Sequence, residues 1–453
     1  MLPWIYARGF KGQIITTYAT ADLCGIMLRD SAHIQEMEAE WRNRKARRAG
    51  KTEVEALYTM QDAEGVLGHF EGVAYGQKFK LNENITLRFT DVGHLLGSAS
   101  IEIWATEGDE QRKIVFSGDI GNKNKPLIRD PQYISDGDYV VMESTYGNRY
   151  HKKGEDHVVG LARIIQQTLD RQGNVVIPAF AVGRTQELLY MIRHIKEEKL
   201  VTGHDGFQVY VDSPLAVEAT HVFKQNMVEC YDEETKALVE RGINPIDFPG
   251  LKLSVTSEES KNINFDMTPK VIISAAGMCD AGRIRHHLYQ AEGTLGRLLQ
   301  DGAPAVKIFG EEIDVKAHIE TLDGISGHAD RDGLLTWAAA FEQKPKYVFV
   351  VHGNDESCES LTDALNTQLG LTAKAPYSGS EFDLIKGVWI KETEPVPVEA
   401  ETQATRKATG VYTRLVDAGQ MLMDVIARNQ GGANQDLTRF TEQILALCEK
   451  WNR

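Results

Sequence analysis

The feature that most restricts the fold of this chain is the alternation of strand-like runs with helical stretches along most of its length. Apolar, β-branched runs such as FQVYVDS and KVIISAA predict strands. Longer stretches between them have helical periodicity. The stretch RTQELLYMIRHIKEEK, for example, places five apolar residues on one helix face, namely Leu188, Leu189, Met191, Ile192 and Ile195. This alternation predicts an α/β protein whose sheets are flanked by helices.

Length and composition narrow the class of protein further. With 453 residues the chain is too long for one ordinary core, so two or three domains are expected. No apolar run approaches the roughly 18 residues of a membrane span, which predicts no association with membranes. Five cysteines without metal-type spacing are typical of the reducing cytoplasm. The net charge of −15 argues against a protein that coats nucleic acid non-specifically, but it is compatible with a local basic groove.

Four predicted strands deliver an acid or a histidine into the loop that follows. These residues are His94 after FTDVG, Asp119 after KIVFSG, Glu143 after YVVM and His352 after YVFVV. A fifth residue, His328 in GISGHADRDGLL, lies just before a predicted helix. Loops at strand ends are where α/β proteins build their sites, and imidazole and carboxylate groups are ligands that suit zinc. The five together predict a metal centre, although each alone also fits a structural role.

Seven segments, in this order, resemble the β-CASP branch of the metallo-β-lactamase fold: GHLLGSAS, SGDIG, ESTYGNR, PAFAVGRTQELLY, SAAGMCDAGRIRHHL, SGHAD and VVHGND. The resemblance covers roughly residues 2–385. It implies a zinc-dependent ribonuclease similar to bacterial and archaeal relatives of the cleavage and polyadenylation endonuclease.

The resemblance also implies an architecture. A metallo-β-lactamase αββα sandwich is expected from residues 1–148 and 327–390, with a β-CASP α/β domain at 149–326 inserted between them and the site in the cleft. Composition separately predicts a linker at 391–410, which is rich in Glu, Thr and Pro. Two amphipathic helices at 411–453, about Val411–Asn429 and Leu437–Trp451, are expected to form a C-terminal helical hairpin.

Roles within the site follow from the same resemblance. Asp119 is expected to bridge two Zn²⁺ ions, while His94 and His352 each hold one. His328 is expected to contact the scissile phosphate or protonate the leaving oxygen, with Glu143 orienting it or another histidine. A histidine at position 352, where DNA-repair members usually have valine, favours RNA. The expected reaction is hydrolysis of RNA phosphodiesters by a metal-activated hydroxide, with His328, Glu143 and Asp119 as catalytic residues.

Two further motifs are expected to bind the RNA backbone. A helix N-terminus preceded by glycine and carrying an arginine is typical of a phosphate site, and a strand end rich in small residues can cradle a phosphate. The residues are Gly183, Arg184 and Thr185 in the first motif, and Ser274, Gly277 and Arg283 in the second. A plain helix start and tight strand–helix packing are the alternatives. The basic run RNRKARRAGK at 42–51 fits either a solvated face or a nucleic-acid contact.

One motif of the resembled family has no counterpart in this sequence. The family's HxHxDH segment stands just before a helix that continues like LPxLxxxGFKGxI, and this chain opens with MLPWIYARGFKGQI. The three ligands His94, Asp119 and His352 of a seven-ligand site are therefore expected to bind zinc weakly, and the chain to cut RNA poorly. Three explanations are open: a reading frame begun at an internal methionine, a naturally shortened homologue, or a partner chain that supplies the rest.

Two other functions are compatible with the sequence. The chain could be a non-catalytic β-CASP homologue that acts as a binding or assembly subunit, or a hydrolase of small thioesters or lactams. The surviving motif residues argue against the first, and Arg184 and Arg283 in a long insert favour a polymer substrate over the second. Homo-oligomerisation is left open.

Overall fold

A computed structural model describes residues 1–48, 50, 52–152, 155–277, 279, 282–284, 287, 299, 302–308, 311–315, 317–322, 324–396, 426, 437–438 and 440–445. The chain divides into a unit of residues 1–393 and a unit of residues 394–453. No helix in the described part of the chain combines the length and apolar character that crossing a membrane requires.

Helices and strands alternate in the first unit, as the sequence predicts. The helices are α1 (Leu2–Ala7), α2 (Tyr18–Arg48), α3 (Met60–Leu67), α4 (His157–Asp170), α5 (Arg184–Glu197), α6 (Pro214–Gln225), α7 (Met227–Cys230), α8 (Glu233–Glu240), α9 (Ser257–Phe265), α10 (Arg331–Ala339) and α11 (Asp355–Gln368). The strands are β1 (Ile14–Thr17), β2 (Phe70–Val73), β3 (Lys78–Lys80), β4 (Ile85–Asp91), β5 (Ala99–Glu107), β6 (Glu110–Phe116), β7 (Tyr139–Glu143), β8 (Val175–Pro178), β9 (Gln208–Asp212), β10 (Leu251–Ser254), β11 (Lys270–Ser274), β12 (Ala305–Ile308), β13 (Glu311–Asp314), β14 (Tyr347–Val351), β15 (Ala373–Lys374), β16 (Glu381–Asp383) and β17 (Val388–Lys391).

A seven-stranded sheet forms the centre of one layered domain. Its strand order is β15-β14-β7-β6-β5-β4-β3. Strand β14, which comes more than 200 residues after β7 in the chain, pairs with it in parallel, so residues far apart in sequence share one sheet. Helices α10 and α11 pack on one face, where Trp337 and Leu361 are fully buried against Val140 and Val348. The paired strands β1 and β2 lie on the other face, with α2 packed against them, which confirms the predicted αββα arrangement.

A second, four-stranded sheet is built from residues of the predicted β-CASP domain. Its order is β10-β9-β11-β8, and every neighbouring pair is parallel. Crossover helices α4, α5 and α6 bury their apolar faces in its core, in which Ile165, Leu189 and Ile192 have no exposed surface. Parallel strands joined by helices are the arrangement that the alternating sequence pattern predicts.

The second unit bears on the predicted C-terminal hairpin only in part. Residues 437–438 and 440–445 are helical and fall within the second predicted helix. The first predicted helix lies outside the described residues except for Ile426, which is helical. The hairpin and the exact domain boundaries therefore stay predictions.

The face of the seven-stranded sheet that carries β1 and β2 has two apolar rows. Strand register aligns Leu87, Ile103, Ile114, Tyr139 and Tyr347 in one row and Phe89, Ile101, Phe116, Val141 and Phe349 in the other. One end of the rows packs against Ile15 and Val73, and the other end packs against Phe382 and Trp389. In the middle, Phe116 keeps 39% of its surface exposed. A partly exposed apolar sheet face of this kind promotes association.

We expect Phe116→Gln to reduce self-association without loss of stability. The ring is already substantially exposed, so the change in unfolding free energy should stay within about 0.5 kcal/mol. Light scattering at increasing protein concentration, together with a thermal melt, measures both effects. The matched control is Phe265→Gln, since Phe265 is 79% exposed at the end of α9. Equal scattering by wild type and Phe116→Gln would show that this face does not drive association.

A buried ion cluster closes the carboxyl-terminal edge of the four-stranded sheet. Asp212, at the end of β9, has no exposed surface and receives four hydrogen bonds. One carboxylate oxygen accepts from Ser254 at 2.7 Å and Arg283 at 2.8 Å, and the other from Ser260 at 2.6 Å and His287 at 2.8 Å. Burial alone would raise the pKa of Asp212, but these donors outweigh it and lower the pKa to about 2.

We expect Asp212→Asn to destabilise the protein by about 3–5 kcal/mol at neutral pH, because it leaves a partly buried guanidinium without its anion. The pKa of Asp212 is lower in the folded state, so the ionised carboxylate stabilises the protein above its unfolded pKa of about 4. That contribution is lost as the pH falls toward 2. Denaturant melts from pH 7 to pH 2 should therefore show the gap between wild type and variant closing below about pH 4.

The control for this measurement is Asp247→Asn, which removes a surface ion pair with Lys224 in which Asp247 is 51% exposed. Its effect should stay below about 1 kcal/mol at every pH. A pH-independent deficit for Asp212→Asn would mean that packing, rather than charge, gives the cluster its stability.

Candidate metal centre

Strand direction brings the predicted site residues to one edge of the seven-stranded sheet. Strands β6, β7 and β14 are mutually parallel, and β4 runs in the same direction because both β4 and β6 are antiparallel to β5. Their carboxyl-terminal ends therefore lie along the same edge. The loops after β4, β6 and β14 carry His94, Asp119 and His352, and Glu143 is the last residue of β7.

The segment with His328 reaches the same edge through backbone pairing. A β-bridge joins Gly121 to His328, and the Ala329 amide donates to the Ile120 carbonyl at 2.7 Å. Gly121 also lies against the loop of His94, where an added Cβ would stand 2.0 Å from the Gly93 carbonyl oxygen. The small residues of these loops thus allow the two backbones to approach closely.

Three of these side chains converge on one point. Metal-ligating atoms of His94, Asp119 and His328 all lie within 4.8 Å of one another. The Nε2 of His94 is 4.0 Å from Asp119 Oδ2, and the rings of His94 and His328 are 4.4 Å apart between centroids. The buried Nδ1 of His94 has no hydrogen-bond partner among the described residues. Two imidazoles and a carboxylate this close together form a donor set that fits a zinc-type ion.

His352 lies on the solvent side of this cluster. Its Nδ1 is 3.3 Å from Asp119 Oδ1, and 58% of its side chain is exposed. Asp119 therefore has His94 toward one carboxylate oxygen and His352 toward the other, the arrangement expected of a bridging carboxylate. The tight three-residue cluster nevertheless includes His328 and not His352. The assignment of His352 as ligand and His328 as phosphate-side residue stays a prediction.

Glu143 is a buried carboxylate that is linked to the cluster by a hydrogen bond with His328. Its side chain is 2% exposed, and it accepts hydrogen bonds from the Ile120 amide at 2.5 Å, the Thr145 amide at 3.1 Å and His328 Nδ1 at 3.2 Å. Burial would raise the pKa of Glu143, but the bonds from His328 and Thr145 outweigh it and hold the pKa below its usual value.

The pKa values of the two adjacent histidines, His94 and His328, are shifted in opposite directions. Burial, together with the nearby charges of His328 and Lys125, lowers the pKa of His94 to about 4, which leaves a neutral imidazole at neutral pH. Burial also lowers the pKa of His328, but the hydrogen bond and charge of Glu143 outweigh burial and raise it overall. A neutral imidazole is suited to metal ligation, and a protonated one to donating a proton.

Several residues that touch the site were not singled out from the sequence. Lys125 Nζ donates to the His94 carbonyl at 2.7 Å and lies 3.1 Å from Glu187. The His151 Nε2 is 2.9 Å from the His328 carbonyl. The Tyr146 ring contacts the rings of His151 and His328 edge-on. Tyr146 stands inside the quoted ESTYGNR segment, so the resemblance could have flagged it. Nothing in the sequence distinguishes Lys125 from a surface lysine.

The residues of the first predicted phosphate motif form hydrogen bonds with other groups of the protein. The Gly183 amide donates to Gln186 Oε1, and an added Cβ at Gly183 would meet Leu95 at 2.4 Å. Arg184 contacts Glu187 and the Ile325 carbonyl, each at 2.5 Å. The Thr185 hydroxyl donates to the Phe180 carbonyl and has almost no exposed surface. This motif joins α5 to the loops that carry His94 and His328, and its substrate role stays a prediction.

The second predicted motif is held in a similar way. The hydroxyl of Ser274 donates to the main-chain carbonyl of Asp212, and Arg283 is bound to the Asp212 carboxylate and the Val255 carbonyl. Gly277 lies against the Phe180 ring, 3.4 Å from where a Cβ would stand. Of the basic run, Arg47 is paired with Glu53 and Arg42 with Glu38, which favours the solvated face over the nucleic-acid contact.

Comparison with known families matches both parts of this architecture. The Beta-Casp domain matches residues 185–293, and the Zn-dependent metallo-hydrolase RNA specificity domain matches residues 312–376, which include His328 and His352.

Characterised relatives cover most of the chain. It is 33% identical over 377 residues to Ribonuclease TTHA0252 of Thermus thermophilus, a match that covers 80% of this chain and 79% of the relative. It is 30% identical over 404 residues to the transcription termination factor FttA of Thermococcus kodakarensis, covering 83% of this chain but only 58% of that protein. An RNase J-like protein of Methanocaldococcus jannaschii is 29% identical over 371 residues, with 78% of each chain covered. The chain therefore belongs to the β-CASP ribonuclease family of the metallo-β-lactamase fold.

Proposed function

We propose that this protein hydrolyses RNA phosphodiester bonds in the cytoplasm and depends on zinc at the cluster of His94, Asp119 and their neighbours. The observation that carries the proposal is the convergence of His94, Asp119 and His328 within 4.8 Å at the end of the sheet. The match to an RNA specificity domain and the similarity to a named ribonuclease support RNA as the substrate.

The donor set supports zinc over harder cations. Imidazole nitrogens with one carboxylate are typical of zinc, whereas magnesium and calcium prefer oxygen ligands throughout. His94 and His352 would hold the metal on either side of Asp119, whose two oxygens already face them. Bound zinc would supply an activated water and offset negative charge on the phosphate.

Residues of the chain itself would hold and donate the proton that the leaving oxygen requires. Because Nδ1 of His328 lies against Glu143, the Nδ1–H donates to that carboxylate and Nε2 is left for the substrate. Glu143 fixes the ring and favours its protonated form, in which Nε2–H can donate to the leaving oxygen. His151, at the His328 carbonyl, holds the same segment from the other side.

The number of donors supports the expectation of weak metal binding. Among the described residues, the three-residue cluster together with His352 offers four donor groups, whereas two four-coordinate sites that share one bridging carboxylate require about seven ligands in all, bound water included. We therefore propose that these four donor groups by themselves bind zinc weakly and support only slow cleavage of RNA. The same observation favours, as a second candidate function, a subunit that binds RNA without cleaving it.

We expect His328→Ala to keep its zinc and lose RNA cleavage, while His94→Ala and Asp119→Ala lose both. Removing a phosphate contact or general acid typically slows the reaction by about 100- to 10,000-fold, whereas removing a ligand empties the site. Zinc affinity is measured by competition with a chromophoric chelator, and cleavage under single-turnover conditions with excess protein. His204→Ala, which removes a histidine paired with Asp170 outside the cluster, serves as the control. If His328→Ala released zinc as fully as Asp119→Ala, His328 would be a ligand instead.

We expect fewer than two tightly bound zinc ions per chain. Elemental analysis after incubation with zinc and gel filtration gives the stoichiometry, and RNA cleavage should rise with added zinc because the site is incompletely filled at low concentration. Two zinc ions retained per chain would contradict the proposed weak binding. Cleavage that persists unchanged after exhaustive chelation would contradict the dependence on metal.

A further inference from the structure

The arginines predicted to contact RNA are already bound within the protein. Arg184 contacts Glu187 and the Ile325 carbonyl, and Arg283 contacts Asp212 and the Val255 carbonyl. A guanidinium whose donors are satisfied internally has less to offer a phosphate. An RNA-cleaving site still requires cations for the neighbouring phosphates, because the backbone dominates nucleic-acid affinity.

Arg149 differs from Arg184 and Arg283 because its guanidinium is not bound to an acceptor within the described part of the protein. It is exposed, and its guanidinium carbon lies 4.2 Å above the centre of the Tyr146 ring. Within the described part of the chain, its side chain has neither a hydrogen-bond acceptor nor a carboxylate partner. Its backbone is nevertheless fixed, because its amide donates to the Tyr146 carbonyl at 3.3 Å and its carbonyl accepts from the Arg331 amide at 3.1 Å. The side chain therefore extends from a segment held by two backbone hydrogen bonds, and its N–H donors are unused among the described residues.

The ring beneath Arg149 connects it to the candidate metal centre. Tyr146 meets the His328 ring edge-on, with 6.0 Å between centroids, and the His151 ring in the same way at 5.1 Å. Arg149 is thus two ring contacts away from His328. An arginine stacked on tyrosine is common on protein surfaces, so the stacking alone indicates nothing. The combination of unused donors, a fixed backbone and a position beside His328 is what singles it out.

We propose that Arg149 binds an RNA phosphate adjacent to the scissile one, with Tyr146 as the platform that holds the guanidinium in place. This inference rests on the proposed ribonuclease function. Stacking covers one face of the guanidinium and leaves its edge free for the bidentate hydrogen bonds that arginine forms with phosphate. Because phosphate contacts carry no sequence information, Arg149 adds affinity for any single-stranded RNA and positions it relative to His328.

The test measures RNA binding in the absence of cleavage. The full chain is treated with a chelator, and its affinity for a uridine oligoribonucleotide is measured by fluorescence anisotropy between about 50 and 200 mM salt. Arg149→Gln should weaken binding by about 5- to 10-fold and lower the salt slope by roughly 0.7, the value for one phosphate contact on a single strand. Arg149→Lys should keep the salt slope, because it keeps the charge, and lose part of the affinity with the planar fork.

The matched control is Arg171→Gln, which removes an exposed arginine at the end of α4. It should bind RNA with the affinity and salt slope of the wild type. If wild type binds and Arg149→Gln matches it in affinity and salt slope, the inference is wrong while the proposed function stands. If Arg171→Gln weakens binding as much as Arg149→Gln, the effect is one of net charge and the inference is also wrong. If wild type does not bind RNA, both the proposed function and the inference fail.

Discussion

One buried carboxylate, that of Glu143, holds the loops of the site in register. It accepts hydrogen bonds from the amide after Asp119, from its own following loop at Thr145, and from the ring of His328. The most distant of these donors, His328, lies 185 residues after Glu143 in the chain, and its segment is held beside the loop after β6 by the bridge between Gly121 and His328. The carboxylate costs desolvation energy when buried, and three donors compensate for it. The position of His328 beside the loops of His94 and Asp119 follows from this arrangement.

The same carboxylate contributes to the difference in pKa between His94 and His328, whose ring centroids are only 4.4 Å apart. His94 faces burial and neighbouring positive charge, which lower its pKa to about 4, whereas Glu143 raises the pKa of His328. Opposite shifts in adjacent groups are how one site holds a neutral ligand and a proton donor at the same pH. Proximity alone would place both rings in the metal shell, and their environments give the reason to assign them different roles.

The sequence predicts the strand ends of the site well because each rests on a local pattern. A short apolar run followed by a polar residue with a glycine beside it indicates that His94, Asp119 and His352 stand in loops at strand ends, and the common direction of the strands explains why these loops lie at one edge. The α/β class and the αββα layers followed from the same alternation and from the family resemblance.

The hydrogen-bond and ion-pair partners of the basic side chains could not be predicted from the sequence, because these contacts join distant segments of the chain. Arg184 stands at a helix start, as a phosphate-binding arginine would, yet one of its acceptors is a carbonyl 141 residues away, at Ile325. Arg283 finds its anion 71 residues upstream at Asp212. Lys125, which bridges the His94 loop and α5, has no sequence signature at all. The position of Arg149 could not be predicted for the opposite reason, since only the structure shows that its side chain has no acceptor among the residues described.

The zinc that we propose would bind between His94 and Asp119 at the end of the seven-stranded sheet. Anomalous scattering at the zinc edge, from crystals of the protein grown with zinc, tests this position most directly. We expect a peak about 2.0–2.2 Å from a His94 nitrogen and an Asp119 oxygen. Zinc bound elsewhere on the protein, with His94 and Asp119 free of metal at saturating concentration, would contradict the proposed site.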